Sequence, residues 1–383
     1  MWPERMTAPS RPAIGRPLLA SGTTGRIPEL DGLRGVAILL VLMFHLGGAV
    51  TLPRSAQYVV LSGWLGVDLF FVLSGYLITG ILVDSAGRPG YYRNFISRRT
   101  LRIFPLYYAV LAIAYVTSYG PSLAHWSSFL QSRDWWYAVY IGNIQVFLRN
   151  QWPSGDLTPL WSLQVEEQFY LTFPLLVALV TRRMLARVLA GAVIAALLIR
   201  ITMVWAMPGN IAGTYVLMPC RMDTLALGGL VAVAQRDSAS WLRSRWIAPI
   251  TACTGAIVVW ICWRYGSLPW STAMRTAGFS SAAVFFTGVL ILLIHRRNRV
   301  LLAIFRLRPL TWIGVISYGV YLLHIPAAEQ VRRFAPRVLH VAPGGFAEAF
   351  LSLAAVIAAA SVSWRFFESP ILRMRNRFTH AMR

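Results

Sequence analysis

The fold class that this sequence predicts is an all-α, polytopic integral membrane protein, with about ten transmembrane helices in one bundle. Three observations predict it. Of 383 residues, 57% are apolar, above the usual range of about 45 to 50% for soluble domains. Only 13% are charged, roughly half the ordinary share and too few to coat a soluble globule of this size. The basic residues, all of them arginine, fall in short clusters between long apolar runs. This composition excludes intrinsic disorder, a disulfide-stapled miniprotein and an ordinary soluble enzyme. Cys220, Cys253 and Cys262 lie inside apolar runs and form neither a disulfide framework nor a spaced zinc motif, so no metal is expected. The net charge of +22 follows membrane topology, and no nucleic-acid partner is expected.

Crossing about 30 Å of hydrocarbon takes roughly 17 to 25 helical residues. The stretch 1–29 is polar, rich in Pro and Arg, and lacks an apolar core followed by a cleavage site. It reads as a disordered cytoplasmic tail that leaves the first apolar helix as the insertion signal. Spans are expected near 36–50, 59–83, 103–118 and 163–181, then 185–207, 215–235, 247–263, 276–294, 310–325 and 346–364, within one domain over 30–370. A basic cytoplasmic tail, 371–383, follows. Trp135 to Leu148 is only 14 residues long, rich in aromatics and flanked by Arg133, Asp134 and Arg149, so it reads as an interfacial or re-entrant piece on the outer face. If it does not cross, 26 of the 36 arginines lie on the cytoplasmic side, 8 outside, and Arg200 and Arg221 within spans. If it crossed, 16 of those arginines would move outside, against the positive-inside bias. Ten spans with both termini cytoplasmic are therefore expected.

Ionisable residues at membrane depth are costly and mark function. His45 lies 11 residues after Arg34 on one continuous helix, a rise of about 16 Å, which places it past mid-membrane. A neutral imidazole there can accept a proton from a hydroxyl or attack an acyl group itself; a helix-packing histidine is the competing reading. At the outer entry of the fourth span stand Trp161, Ser162, Gln164, Glu166, Glu167, Gln168 and Tyr170. Ser162 as cap and acids at a helix N-terminus account for Glu167. Glu166 shares a face with Tyr170 and could orient His45 as the third member of a triad orients its base. Arg98, Arg99 and Arg102 begin the third span. Arg99 and Arg102, three apart, point the same way and could hold phosphates, although similar clusters over 296–308 and 373–377 are topological. Arg221 and Asp223 in the sixth span, and Ser317, Tyr318, Tyr321 and His324 along the ninth, are further polar positions; interhelical hydrogen bonding is their competing reading, and the plainer one for the tyrosines.

Taken together these motifs resemble the acyltransferase-3 family of multi-span membrane O-acyltransferases. Leu30-Asp31-Gly32-Leu33-Arg34-Gly35 with His45 resembles the family's basic-x10-His first helix. Gly66 to Tyr76, with Asp68 and Ser74, resembles its second helix, Arg99-Thr100-Leu101-Arg102 its R-x-x-R, and Trp161 to Tyr170 its W-S-L-x-x-E-x-Q-F-Y block. Arg221-Met222-Asp223, Ser317 to His324 and Glu368-Ser369-Pro370 resemble weaker signatures. The resemblance implies transfer of an acyl group, commonly acetyl, from cytoplasmic acyl-CoA to a hydroxyl of a carbohydrate. The acceptor it implies is a cell-envelope glycan or its lipid-linked precursor, with a glycosylated natural product as the alternative. It makes His45 the essential histidine, Arg34 its support, and Arg99 and Arg102 the donor side; acyl-CoA is a co-substrate and no bound cofactor is expected. Some members carry a C-terminal extracytoplasmic domain that delivers the acyl group. This chain ends just past its last span, so a direct transfer or a separate extracytoplasmic transferase is expected. The absence of lysine points to GC-rich coding, and the expected location is a bacterial plasma membrane. A secondary transporter or flippase for a glycan precursor is the rival of another class, and would call for paired broken helices in two halves.

Overall fold

The computed structural model describes residues 27–48, 50–119, 134–153, 155–296 and 298–374. Most of the expected tails, 1–29 and 371–383, therefore lies outside the described residues. Those described are helical, without strands. Nine helical segments are long and apolar enough to cross a bilayer among them, and the chain is a polytopic integral membrane protein. A further helix, Trp161–Leu179, has 19 residues, about 28 Å at 1.5 Å per residue. It corresponds to the expected fourth span, and it is polar because it carries Gln164, Glu166, Glu167 and Gln168.

The helices that position the site are α1 (Pro28–Gly47), α2 (Arg54–Leu61), α3 (Leu65–Ser85), α4 (Tyr91–Tyr119), α5 (Gly142–Arg149) and α6 (Trp161–Leu179). They continue as α7 (Arg182–Ala206), α8 (Met218–Arg236), α9 (Ile247–Tyr265), α10 (Phe279–Ile294), α11 (Arg308–Val338) and α12 (Phe346–Ser363). Trp135 to Leu148 forms a short 3-10 turn and the 8-residue α5, about 12 Å of helix, and does not span. The first helix begins at Pro28, eight residues before the apolar run. Pro at its first position and Glu29 and Asp31 in its first turn favour a helix start there. The helix expected to end near 325 instead runs through Pro326 to Val338. A proline inside a membrane helix is tolerated where neighbours satisfy the freed backbone group.

We call the end of the bundle where α1 begins the near end, and the end where it stops the far end. α1 and α3 run antiparallel, because Gly63 packs on Leu40 and Phe44, and Gly66 on Ala37 and Val41. α1 and α11 run parallel, because Gly35 packs on the Leu310 carbonyl and, further along both helices, His45 meets His324; at the crossing a Cβ on Gly35 would strike the Leu310 carbonyl, and one on Gly314 the Asp31 carbonyl. Such backbone approach is the small-residue packing that holds membrane helices where no hydrophobic force drives them together. α3 and α8 are joined by charge as well. Arg221 and Asp68 form a fully buried ion pair, and Arg200 from α7 bonds Asp223 at 2.8 Å and Ser280 at 2.6 Å. Arg236 closes the near end of this pair by binding Asp84 at 2.6 Å.

Candidate active site

α3, α4, α6, α11 and the start of α1 enclose a cavity of about 200 Å³. Its wall follows α3 from Val67 to Ile81, a path of about 21 Å, so it is a slot along the bundle and not a round chamber. Arg34, Arg99 and Arg102 line it at the near end. Arg34 Nη1 donates to Asp31 Oδ1 at 3.0 Å. The Arg99 guanidinium lies over the Phe95 and Tyr170 rings at 5.6 and 5.5 Å, a cation-π placement that keeps it extended across the slot. Arg102 has no carboxylate within ion-pair distance among the described residues. Arg98, the neighbour of Arg99, does not line the cavity.

Midway, the hydroxyl of Ser74 donates to Glu166 Oε1 at 2.6 Å and that of Tyr170 to Oε2 at 2.8 Å. Both carboxylate oxygens are thereby held, and the group faces the cavity. Ser317 and Tyr318 complete this stretch of wall, and Tyr318 donates to the Ile103 carbonyl at 2.6 Å. Further along, Tyr321 donates to the Pro159 carbonyl at 2.7 Å. Its single proton is then committed, so Ser162, at 2.6 Å from the Tyr321 oxygen, is the donor between them.

His45 and His324 meet one turn beyond the cavity's far end. Val67 is level with the turn of α1 before His45, because its neighbour Gly66 packs on Val41. The two imidazoles are 4.8 Å apart at their centroids, inclined at 64°. His45 Nδ1 lies 3.0 Å from the Val41 carbonyl, and His324 Nδ1 lies 2.6 Å from the Tyr321 carbonyl. A carbonyl oxygen only accepts, so each Nδ1 carries the hydrogen and, in the neutral ring, each Nε2 keeps its lone pair. His324 is fully buried and its Nε2 has no partner. An unmet buried acceptor costs about 1 to 3 kcal/mol, and such a group calls for an explanation. Arg332, beyond Pro326, donates to the His45 carbonyl at 3.4 Å and pairs with Glu348 at 3.5 Å.

The positions singled out from the sequence thus fall into three places. Arg34, Arg99, Arg102, Ser74, Ser162, Glu166, Tyr170, Ser317, Tyr318 and Tyr321 line the cavity, while His45 and His324 form the pair beyond it. Glu166 is held by Ser74 and Tyr170, whereas the group beside His45 is His324, so Glu166 is not the group that orients His45. The remainder are packed into the scaffold. Asp68, Arg221 and Asp223 are in buried ion pairs. Gln168 donates to the Tyr140 carbonyl at 3.0 Å and to Asn143 at 2.9 Å, which ties α6 to α5. Trp161 is buried against Tyr215 at 4.5 Å and Phe71 at 6.1 Å. Arg332 is one of the 8 arginines expected outside and carries no site expectation, because a span ending at 325 leaves it in a loop. Among the described residues no three His, Cys, Asp or Glu side chains are grouped to hold a metal.

A family model described as an acyltransferase domain matches residues 27–365. Peptidoglycan O-acetyltransferase OatA of Listeria monocytogenes is 28% identical over 90% of this chain and 56% of its own length. A putative peptidoglycan O-acetyltransferase, YrhL, of Bacillus subtilis is 28% identical over 90% and 55%. O-acetyltransferase OatA of Staphylococcus aureus is 28% identical over 90% and 57%. The chain thus spans just over half the length of these curated relatives. No solved structure matches it. With ordered motifs from Leu30 to Pro370, a helical membrane bundle that gathers them, and a family model that fills most of its length, this chain belongs to the acyltransferase-3 family of membrane acyltransferases.

Proposed function

We propose that the chain is an O-acyltransferase that moves an acyl group, acetyl in the first instance, from acyl-CoA to a hydroxyl of a cell-envelope carbohydrate. One observation carries this reading: three arginines stand at one end of a slot along the bundle, and a histidine pair stands one turn beyond its other end. Arg34, Arg99 and Arg102 have the charge and donor geometry for the phosphates of CoA. A narrow, mostly apolar slot suits the uncharged arm that carries the thioester. His45 then receives the acyl carbon or the proton of the attacking hydroxyl. Glu166, Ser74, Tyr170 and Tyr321 shape the wall along which the arm lies. Peptidoglycan, named for the relatives, is the first acceptor to try. The arginine asymmetry of the sequence supports placing the near end, both termini and the donor in the cytoplasm, with 30–370 as the acyl-transferring unit and a separate extracytoplasmic transferase as a candidate partner in delivery.

The test is release of CoA thiol from acetyl-CoA and longer acyl-CoA by inverted membrane vesicles carrying the wild type or His45→Ala, with and without envelope glycan. Donor-dependent thiol release that disappears in His45→Ala is expected. A His45→Ala protein with full activity, or lipid-linked sugar crossing the membrane with no donor cleaved, would overturn the reading.

A further inference from the structure

We propose that His324 is a second catalytic residue, the base that deprotonates the acceptor hydroxyl after His45 has taken up the acyl group. The inference rests on the acyl-transfer reading above and goes beyond it by choosing a route and assigning the second imidazole a task. Both rings spend Nδ1–H on a carbonyl of their own helix, so both present Nε2 as a lone pair. Two lone pairs cannot bond to each other, and the Nε2 of His324 is buried without any donor. If His45 acted only as a base, a second bare acceptor in ring contact with it would have no use. If His45 carries the acyl group on Nε2, its own lone pair is consumed, and the second half of the reaction needs a base within reach. His324 is the imidazole in that place, at 4.8 Å between centroids.

The steps balance. His45 Nε2 attacks the thioester carbon; a C–N bond forms, the C–S bond breaks, and CoA leaves as thiolate. The acceptor oxygen then attacks the acyl carbon; a C–O bond forms, the C–N bond breaks, and the hydroxyl proton passes to His324 Nε2. His324 returns that proton to the thiolate or to water, and both imidazoles are neutral again. The net reaction is thioester plus alcohol to ester plus thiol. The Tyr321 carbonyl that holds His324 Nδ1–H belongs to the residue whose ring forms the cavity wall, so the base is fixed to the wall along which the donor arrives.

The test uses the full chain in membranes, with acetyl-CoA labelled in the acetyl group as donor and a peptidoglycan disaccharide as acceptor. His324→Asn is the informative variant, because its amide can still donate to the Tyr321 carbonyl while it offers no basic nitrogen. Wild type and His324→Asn should both release CoA and carry label on His45, and His45→Ala should do neither. Transfer to the sugar should fall by about 10²- to 10⁴-fold in His324→Asn, the usual contribution of a general base. Its label should persist and be discharged by hydroxylamine, a nucleophile that needs no base. Wild-type transfer in folded His324→Asn would overturn the proposal, and so would loss of the first, single-turnover equivalent of CoA along with transfer in that variant. A wild type that turns over without ever carrying label on His45 would overturn it as well. A wild type that cleaves no acyl-CoA, even with the sugar present, would count against the donor reading instead.

Discussion

Arg102→Ala offers a test that separates donor recognition from scaffold. Arg102 lines the near end of the slot beside Arg99 and Arg34 and has no carboxylate within ion-pair distance among the described residues, so its removal breaks no ion pair. What is lost is a charge-assisted contact to a phosphate oxygen, worth about 1.5 to 3 kcal/mol. At 1.4 kcal/mol per tenfold this corresponds to a rise in KM for acetyl-CoA of about 10- to 150-fold. The maximal rate should change little, because the contact is remote from the acyl carbon and is made in ground and transition states alike. The assay is steady-state thiol release in vesicles with two donors, acetyl-CoA and S-acetyl-pantetheine, which lacks the nucleotide and every phosphate. Arg102→Ala should be indistinguishable from wild type with the truncated donor. Equal impairment with both donors would refute the assignment and make Arg102 a packing or topology residue.

Three further outcomes are expected. Asp68→Asn removes the counter-charge of fully buried Arg221 and should cost about 3 to 5 kcal/mol, whereas the paired change Asp68→Leu with Arg221→Met should recover most of it; thermal melts in detergent read both. Glu166→Gln turns one acceptor into a donor facing the hydroxyl of Ser74 or Tyr170. It should cost about 1 to 3 kcal/mol, with Ser74→Ala milder, measured by the same melts and by thiol release. Gly35→Leu should part α1 from α11 at the Leu310 carbonyl and cost about 1 to 3 kcal/mol together with transfer activity. Gly191→Leu, which meets nothing within 4 Å, should be silent in both assays.

Much of this architecture was legible in the sequence because the bilayer imposes length and polarity together. Arg98, Arg99 and Arg102, Arg182 and Arg183, and Arg308 punctuate the chain where helices α4, α7 and α11 are positioned, and 14 residues from Trp135 could not cross. The exceptions have local causes. α1 starts before its apolar run because Pro28, Glu29 and Asp31 make a good helix start in spite of their polarity. α11 continues past Pro326 because packing in a bundle overrides a proline's local preference. Pairing across helices was beyond reach: the sequence places His45 at depth and marks Glu166 as worth attention, but nothing local says whether the two meet. Sequence distance likewise hides Arg221 from Asp68, 153 residues apart.

The two ends of the site are connected by one helix. α11 packs Gly314 against the backbone of α1 at the near end, then lines the slot with Ser317, Tyr318 and Tyr321. It presents His324 to His45 one turn later and, past Pro326, reaches the His45 carbonyl through Arg332. α1 answers with Arg34 on the slot and His45 beyond it. Because glycine contacts leave almost no freedom between the two backbones, the depth of the histidine pair relative to the arginines is fixed by the α1–α11 register and not by any loop. A donor anchored by its phosphates at one end must therefore present its thioester at one depth.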